Sequence, residues 1–367
     1  MKSKIRVGIL FGGQSVEHEI SILSARSIYQ AIDKDRYEVV LIGIDKQGGW
    51  HFSDSEIFLE SKTNHRLKSF TNENNQLALV PGQKVDFLYQ ISKQKESKPV
   101  DVIFPVLHGT NGEDGSIQGF LKLSGIPFVG AGILGSAIGM DKEVTKRLLR
   151  DAKIPIPNFR VIRQVNRNMV DPLQIYKEFN LPLFVKPVNL GSSVGISKVK
   201  TIDEIKPALE KAFLYDHKVL IEKCIFGREI ECSVLGNEHP IASLPGEIKP
   251  NHEFYSYEAK YLDENGAILE IPAKLPNHLI KKVQEMAIKV FQVLEIEGMA
   301  RVDFFLQEND ELLVNEVNTI PGFTQISMYP KLWEASGLPY KDLITRLIEL
   351  ALERANRDQK LKTSYEE

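Results

Sequence analysis

The chain has 367 residues, of which 43% are hydrophobic and 26% are charged, and its formal net charge is −3. This composition is typical of a folded globular protein, and the length predicts two or three domains. The near-neutral charge gives no electrostatic reason to expect nucleic acid or an anionic membrane as a partner. The two cysteines, Cys224 and Cys232, do not form a Cys-x-x-Cys pair, which disfavours a disulfide framework and a zinc site.

The first 135 or so residues alternate predicted strands with helices. A strand begins at Ile5 and ends at a Gly-Gly turn, and a helical pattern follows it; further strands are predicted at 37–44, 100–107 and 126–129. This alternation predicts a parallel α/β sheet. The apolar run at 7–11 is too short for a secretory signal, and no run approaches the roughly 20 apolar residues of a membrane span, so we expect a cytoplasmic protein.

The rest of the chain predicts two smaller α+β units. A helix over 141–152 ends before Pro155 and Pro157. Strands at 184–187, 196–199 and 218–222 surround a glycine-serine loop, and a last unit contains strands at 229–235 and 298–316 with helices at 277–293 and 341–355. We therefore predict three domains, over residues 1–138, 139–228 and 229–367. The polar stretch 61–98 is interpreted as a surface elaboration.

Near the C-terminus, two alternating runs joined by a polar turn at 309–310 predict a β-hairpin. A two-residue turn there places Asp303 opposite Glu316 and Arg301 opposite Asn318. Opposed carboxylates repel one another, and a divalent cation would remove that penalty. Magnesium binds carboxylates together with substrate phosphates, and Asn318 can add an amide oxygen. The alternative is an exposed hairpin with solvated carboxylates.

A second candidate site is the loop Gly-Ser-Ser-Val-Gly at 191–195, which follows a strand carrying Lys186. Glycines let the backbone approach a phosphate closely, and the N–H groups and two hydroxyls can bind it. A flexible hairpin loop is an equal alternative, because the segment lacks the Gly-x-x-x-x-Gly-Lys-Ser/Thr pattern of a Walker loop.

Three other segments carry weaker signals. Gly130, Gly132 and Gly135 match the dinucleotide-binding fingerprint, but the acidic residue about 20 positions later, Asp151, lies in a helical stretch rather than at a strand end, which disfavours a dinucleotide site. His108 lies in a glycine-rich loop after an apolar strand, where ligands of open α/β sheets bind, although a lone histidine there is more often structural. Glu17 begins the first helix, where an acidic residue complements the helix dipole.

Taken together, these segments resemble the D-alanine:D-alanine ligases, members of the ATP-grasp superfamily of carboxylate–amine ligases. The resemblance spans nearly the whole chain, and its motifs are Gly-Gly-Gln-Ser-Val-Glu-His-Glu, His-Gly-Thr-Asn-Gly-Glu-Asp-Gly, Met-Asp-Lys, Val-Lys-Pro, Gly-Ser-Ser-Val-Gly, Tyr-Glu-Ala-Lys-Tyr, Ala-Arg-Val-Asp and Asn-Glu-Val-Asn-Thr-Ile-Pro-Gly. It implies an ATP-grasp fold, in which an N-terminal α/β domain precedes two α+β domains that hold ATP between them. It also implies a cytoplasmic homodimer that condenses two D-alanine molecules for peptidoglycan precursor synthesis.

The resemblance assigns the nucleotide and metal residues one by one. The phosphates of ATP would bind to Lys142, Lys186, Ser192, Ser193 and Lys260. The adenine would bind to Glu222, Lys223 and Ile225, and the ribose to Glu229. Asn315 is also among the implied ATP-binding residues. Two magnesium or manganese ions would bind Asp303, Glu316 and Asn318.

The resemblance also implies a two-step reaction. The carboxylate of the first D-alanine attacks the γ-phosphorus of ATP, and the amine of the second D-alanine then attacks the resulting acylphosphate. In the roles that the resemblance implies, Glu17 binds the ammonium of the first D-alanine, with His108 nearby, and Lys260 binds the transferred phosphate. Arg301 and the Gly322 N–H stabilise the oxyanion, and Ser327 and Met328 bind the carboxylate of the second D-alanine. Glu17, Ser192 and Tyr261 are linked by hydrogen bonds that close a loop over the site.

Two other functions stay open. A different ATP-grasp ligase would keep the nucleotide and metal residues but need not keep Glu17, His108 or Ser327. A nucleotide-binding regulatory protein without turnover is disfavoured by the presence of Lys186, Asp303, Glu316 and Arg301. The chain departs from the family pattern at Thr110, where proline is frequent, and in its longer polar stretch 61–98.

Overall fold

The computed structural model describes residues 3–60, 75–79, 88–91, 95–96, 99–250, 267–362 and 365. The strands are β1 (Ile5–Gly12), β2 (Tyr37–Ile44), β3 (Trp50–Phe52), β4 (Leu77–Leu79), β5 (Leu88–Gln90), β6 (Lys95–Glu96), β7 (Val102–Pro105), β8 (Phe159–Arg163), β9 (Leu183–Pro187), β10 (Ser197–Val199), β11 (Lys218–Lys223), β12 (Arg228–Gly236), β13 (Ile241–Ala242), β14 (Gly246–Pro250), β15 (Ala267–Glu270), β16 (Gly298–Leu306) and β17 (Leu312–Asn318). The α-helices are α1 (His18–Ala31), α2 (Ser55–Glu60), α3 (Ser116–Leu123), α4 (Ile133–Met140), α5 (Lys142–Asp151), α6 (Pro172–Phe179), α7 (Ile205–Ala212), α8 (Asn277–Val293), α9 (Met328–Ala335) and α10 (Tyr340–Asp358). Within these ranges, every helix is too short or too polar to cross a bilayer.

The N-terminal sheet has the strand order β3-β2-β1-β7, with β1 parallel to both β2 and β7. This confirms the predicted parallel sheet; β3 adds an antiparallel edge. The strand predicted at 126–129 is reduced to a single bridge between Ile103 and Phe128. Because the carboxyl ends of parallel strands meet at one edge, the turn after β1 lies beside the loop after β7; a Cβ on Gly13 would lie 3.5 Å from Leu107 Cδ2.

Two antiparallel sheets follow, with the orders β10-β9-β11-β8 and β15-β14-β12-β16-β17, and β13 pairs with β12. On β9, Leu183 and Val185 pack into a core with helices α6 and α7. Since successive side chains of a strand point to opposite faces, Phe184 and Lys186 lie on the other face of the sheet. Residues 224–227 connect β11 to β12 and form the hinge between the two sheets.

The first and last parts of the chain share one hydrophobic core. Side chains of β1 and α1 pack with those of α10, including Leu343 and Leu347. The buried Arg354 of α10 donates hydrogen bonds to the carbonyl oxygens of Gly130 at 2.6 Å and Phe128 at 2.7 Å. The 128–130 segment, which lies beside β7, is therefore fixed against α10.

The glycine triplet 130–135 has a packing explanation at Gly135. A Cβ at this position would lie 2.7 Å from the carbonyl oxygen of Glu295 and 3.1 Å from the Cα of Ile296. Only a residue without a side chain lets α4 approach this turn so closely. The glycine thus serves helix packing.

We predict that Gly135→Ala destabilises the protein by about 1–3 kcal/mol, because overpacking against backbone outweighs the roughly 1 kcal/mol by which alanine is favoured in helices. Gly119→Ala in α3 is the matched control, since the nearest atom to its added Cβ would be Ile133 Cδ1 at 3.9 Å. The control is expected to be neutral or slightly stabilising. Equal unfolding midpoints for the two variants in denaturant would contradict the packing role.

Candidate active site

The hairpin β16–β17 has the side-chain pairing that the sequence predicts, with Arg301 opposite Asn318 and Asp303 opposite Glu316. The predicted two-residue turn is wrong, however. The Gln307 N–H donates to the Glu311 carbonyl oxygen at 2.9 Å, which leaves a three-residue turn at 308–310, as in hairpins that end in a left-handed residue. A bulge between Asp303 and Phe304 then shifts the register by one residue and restores the predicted pairs.

Charged groups surround Asp303 in this hairpin. Arg301 donates from Nε and Nη2 to the two oxygens of Asp303, both at 2.7 Å, and Asn318 Nδ2 donates to Asp303 Oδ2 at 3.1 Å. Glu231, which lies opposite Asp303 on β12, is 2.9 Å from Arg301 Nε. Burial alone would lower the pKa of Arg301, but the charges of Asp303 and Glu231 outweigh it and hold this pKa well above its usual value.

The donor atoms of this hairpin fit magnesium bound jointly with phosphate. Among the residues that the structure describes, no three His, Cys, Asp or Glu side chains converge as a metal centre. Magnesium does not require such a cluster, because it usually binds one or two carboxylates and takes its other ligands from water and substrate phosphate. Asp303, Glu316 and the amide oxygen of Asn318 supply hard oxygen donors of this kind.

A buried ion-pair cluster lies beside the hairpin. Glu222 is 1% exposed, and its carboxylate is 2.6 Å from Lys186 Nζ and 2.5 Å from Lys146 Nζ. Burial opposes ionisation of Glu222, but the two lysines hold its pKa below the usual value. Lys146 Nζ also donates to the carbonyl oxygen of Asn315, the residue at the bulge, at 3.2 Å. The cluster therefore connects α5, β9, β11 and β17.

Lys146 was missed by the sequence reasoning, although a signal for it exists. It lies on the buried face of α5 with Thr145 and Leu149. Lysine is almost never fully buried unless it is paired. A lysine within the apolar stripe of a helix therefore indicates a buried carboxylate, but the sequence does not say which one.

The glycine-serine loop lies between the N-terminal domain and the hairpin. Ser192 and Ser193 have φ values of 52° and 60°, a left-handed conformation that non-glycine residues rarely adopt and that is enriched at functional sites. Ser192 Oγ donates a hydrogen bond to Glu17 Oε1, as the family resemblance implies. Lys142 Nζ donates to the carbonyl oxygen of Leu190 at 2.9 Å and lies 3.7 Å from Glu316 Oε2.

Glu17 is buried between two glycine-containing loops. Glu17 is the residue immediately before α1. A Cβ on Gly109 would lie 2.8 Å from Glu17 Oε2, and a Cβ on Gly191 would lie 3.3 Å from the same oxygen, so both loops approach this carboxylate closely. Glu113, which the sequence reasoning did not single out, accepts hydrogen bonds from the N–H groups of Gly109 at 2.7 Å and Ile320 at 3.2 Å. Desolvation and the charge of Glu17 raise the pKa of Glu113 to about 8.

The segment after β17 carries the remaining predicted substrate residues. Gly322 lies close to Ser327, since a Cβ there would be 3.0 Å from Ser327 Oγ. Ser327 precedes α9 and accepts a hydrogen bond from the Thr324 N–H at 3.1 Å, and Met328 is the first residue of that helix. A helix N-terminus presents backbone N–H groups that suit a carboxylate.

Comparisons with known proteins identify the family of the chain. Residues 6–131 match the family model for the D-ala D-ala ligase N-terminus, and residues 148–349 match the model for the D-ala D-ala ligase C-terminus. The chain belongs to the D-Ala-D-Ala ligase family. It is 51% identical to the D-alanine–D-alanine ligase of Oceanobacillus iheyensis and 51% identical to D-alanine–D-alanine ligase A of Escherichia coli, in each case over 98% of this chain and 99% of the relative.

Solved structures show the same relationship. The D-alanine-D-alanine ligase from Coxiella burnetii superposes with a TM-score of 0.86 at 40% identity, covering 97% of this chain and 96% of that one. The VanG D-Ala:D-Ser ligase from Enterococcus faecalis superposes with a TM-score of 0.84 at 34% identity, covering 95% and 100%. The predicted ATP-grasp fold is confirmed.

The predicted adenine residues lie at the hinge. The exposed Lys223 donates its N–H to the carbonyl oxygen of Asn158 at 3.1 Å, and Lys223 and Ile225 line a cavity of about 490 Å³. Glu229, on β12, contributes to raising the pKa of Lys186, where the effect of burial is outweighed chiefly by Glu222. Two further predicted family residues, Lys260 and Tyr261, lie outside the described residues.

We predict that Lys146→Met lowers the free energy of unfolding by about 3–5 kcal/mol, because it removes one partner of a buried ion pair. The midpoint of thermal unfolding should fall by about 5 °C or more. Arg147→Met is the control: Arg147 is the next residue of α5, is exposed, and makes an ion pair with Glu143 at 3.8 Å whose expected contribution is at most about 1 kcal/mol. Similar midpoints for the two variants would show that the buried cluster does not stabilise the fold.

Proposed function

We propose that this chain joins two D-alanine molecules into D-alanyl-D-alanine, with ATP converted to ADP and phosphate through an acylphosphate, for peptidoglycan precursor synthesis. The observation that carries the proposal is the opposition of Asp303 and Glu316 on one face of the hairpin, within reach of Lys142 and the glycine-serine loop. Arg301 and Lys142 balance the charge of these two carboxylates, which would also suit the magnesium ions that a nucleotide brings.

The first step requires cations, because the attacking carboxylate and the leaving ADP are both anionic. Lys142, Lys186 and Lys260 would bind the phosphates, with Ser192 and Ser193 on the loop above them. Magnesium or manganese ions held by Asp303, Glu316 and Asn318 would offset the charge on the terminal phosphates. Glu222, which pairs with two lysines, would act on the phosphates by orienting Lys186.

Adenine would be recognised at the hinge. Lys223 and Ile225 line the cavity there, and the Lys223 carbonyl oxygen and the Ile225 N–H would bind the base. Glu229 would bind the ribose, and Asn315 would contribute at the bulge. Since both oxygens of the Glu222 carboxylate face lysines, its contribution to adenine binding would come from its backbone.

The second step develops negative charge on the acyl oxygen. Arg301 and the Gly322 N–H would donate to this oxyanion, which is the usual means of stabilising a tetrahedral intermediate. The carboxylate of the second D-alanine would bind at Ser327 and the Met328 N–H, at the start of α9. Because Gly322 lies close to Ser327, the oxyanion site and the carboxylate site would be adjacent.

The first D-alanine would bind between Glu17 and His108. Glu17 would pair with its ammonium, and the hydrogen bond from Ser192 to Glu17 would bring the phosphate loop over the substrate. Tyr261 would complete this closure, which excludes water from a hydrolysable intermediate. We further propose domains over 1–138, 139–228 and 229–367, a homodimeric assembly, and a cytoplasmic location.

An assay of phosphate release and dipeptide formation tests the function. Purified protein with ATP and magnesium is given D-alanine alone, L-alanine alone, or D-alanine together with L-alanine, D-serine or D-lactate. We expect D-alanyl-D-alanine as the main product with one phosphate per dipeptide. Equal rates with L-alanine alone would overturn the substrate assignment, and a faster mixed product with D-serine would favour the specificity named for the VanG relative.

We predict that Glu316→Ala lowers the rate of dipeptide formation more than tenfold while leaving the fold intact, because it removes a metal ligand and also a carboxylate–carboxylate repulsion. Tenfold corresponds to about 1.4 kcal/mol of barrier. Glu308→Ala, at an exposed position in the turn of the same hairpin, should keep wild-type activity. Activity of the Glu316 variant within tenfold of wild type would contradict the metal role.

A further inference from the structure

The loop that carries Gly322 is bonded on both sides by residues of the N-terminal domain. Before it, the Ile320 N–H donates to Glu113 Oε1 at 3.2 Å, and the Ile320 carbonyl oxygen lies 3.0 Å from His108 Nδ1. After it, the Phe323 N–H donates to Ser24 Oγ at 3.2 Å. Ser24 and His108 are buried, so these bonds are shielded from water.

The donors and acceptors of this network match one another. Burial lowers the pKa of His108, which keeps the ring neutral. With Nδ1 donating to the Ile320 carbonyl oxygen, Nε2 is left as an acceptor, and Ser24 Oγ lies 3.1 Å from it. The Ser24 hydroxyl can therefore donate to His108 while its lone pair accepts the Phe323 N–H. The second oxygen of Glu113 accepts the Gly109 N–H at 2.7 Å.

Packing immobilises the same loop. The Phe323 ring is buried against Phe104, Tyr329 and Tyr340, with ring centroids 5.7 to 5.8 Å apart. Tyr340 also donates its hydroxyl to the Phe323 carbonyl oxygen at 2.5 Å. Between the two bonded residues lie only Pro321, whose ring fixes φ, and Gly322. The direction of the Gly322 N–H is thus determined by its neighbours.

We propose that Ser24 and Glu113 are positioning residues for the Gly322 N–H and so act on the second chemical step. This inference rests on the proposed function, in which that N–H meets the oxyanion. Loss of an oxyanion donor costs about 10²–10³ in rate, and a misplacement of about 1 Å costs about 10². The N-terminal domain would therefore contribute to amide formation as well as to binding of the first D-alanine.

Two rates measured on the full-length protein separate the steps. Dipeptide formation reports the whole reaction, and exchange of oxygen-18 from the β,γ-bridge of ATP in the presence of D-alanine reports reversible phosphoryl transfer alone. We expect Ser24→Ala to lower dipeptide formation at least tenfold at saturating D-alanine. The exchange rate should not fall more than about twofold, because the phosphate and metal residues are untouched.

Ser243→Ala is the matched control. Ser243 is buried, and its hydroxyl accepts the Ser233 N–H at 3.0 Å and donates to the Leu244 carbonyl oxygen at 2.9 Å, so the hydrogen bonds of this hydroxyl lie in β12 and in the segment just after β13. We expect its thermal midpoint to fall as much as that of Ser24→Ala, with dipeptide formation unchanged. A second variant, Glu113→Gln, keeps one acceptor and turns an amide NH₂ toward the other N–H. It tests the inference if Ser24→Ala fails to fold, and it should likewise lower dipeptide formation much more than oxygen-18 exchange.

The possible outcomes distinguish a failure of this inference from a failure of the proposed function. Equal losses of exchange and dipeptide formation would show that Ser24 acts on the first step or on the fold, and wild-type dipeptide rates in both variants would show that the loop needs neither residue. Either result overturns the inference while leaving the proposed function intact. Wild-type protein that gives neither dipeptide nor exchange would instead overturn the proposed function.

Discussion

The repulsion between Asp303 and Glu316 is the constraint on which the site depends. Two carboxylates opposed across a hairpin destabilise it unless positive charge lies nearby. In the protein, Arg301 donates to both oxygens of Asp303, and Lys142 lies 3.7 Å from Glu316. These cations balance the pair, and under the proposed function the same carboxylates would hold the metal ions that a nucleotide brings. Arg301 also has Glu231 at 2.9 Å, so under the proposed function it would keep a counterion if Asp303 bound a metal ion.

A second set of charges is buried more deeply. Glu222 with Lys146 and Lys186 forms a cluster with little contact with water, and such clusters cost desolvation energy that ion pairing only partly offsets. The cluster fixes the positions of the groups that it contacts. Lys186 is held by Glu222 on the face of the sheet that looks toward the hairpin, and Lys146 holds the bulge residue Asn315. The bulge sets the register of Glu316. The buried cluster, through its hydrogen bond to Asn315, therefore helps to fix the position of the carboxylate pair.

The domains are joined where the chemistry requires them to be. Arg354 fixes α10 to the end of the N-terminal sheet, and the Ser24–His108–Glu113 network fixes the N-terminal domain to the loop after β17. In the glycine-serine loop, the Ser192 hydroxyl donates a hydrogen bond to Glu17 of this core. Under the proposed function, this framework would hold the substrates while the glycine-serine loop covers them, which would protect the acylphosphate from hydrolysis.

The sequence by itself determined the local elements and the chemical types of the site. Periodicity located β2 at its exact bounds and placed the hairpin, and the family motifs named Glu17, Ser192, Arg301 and Asp303. The Asp303–Glu316 pairing was predicted correctly from the wrong turn, because a bulge cancelled the error and bulges leave no clear signal in one sequence.

Only the tertiary structure decided which distant groups meet. Ser24 and Phe323 are 299 positions apart, and Lys146 and Asn315 are 169 apart. Hydrogen bonds and buried ion pairs act over a few ångströms, whereas periodicity in sequence reports only which face of an element is buried. A lysine or serine on a buried face therefore indicates that a hydrogen-bonding or ion-pair partner exists, and only the folded structure shows which residue that partner is.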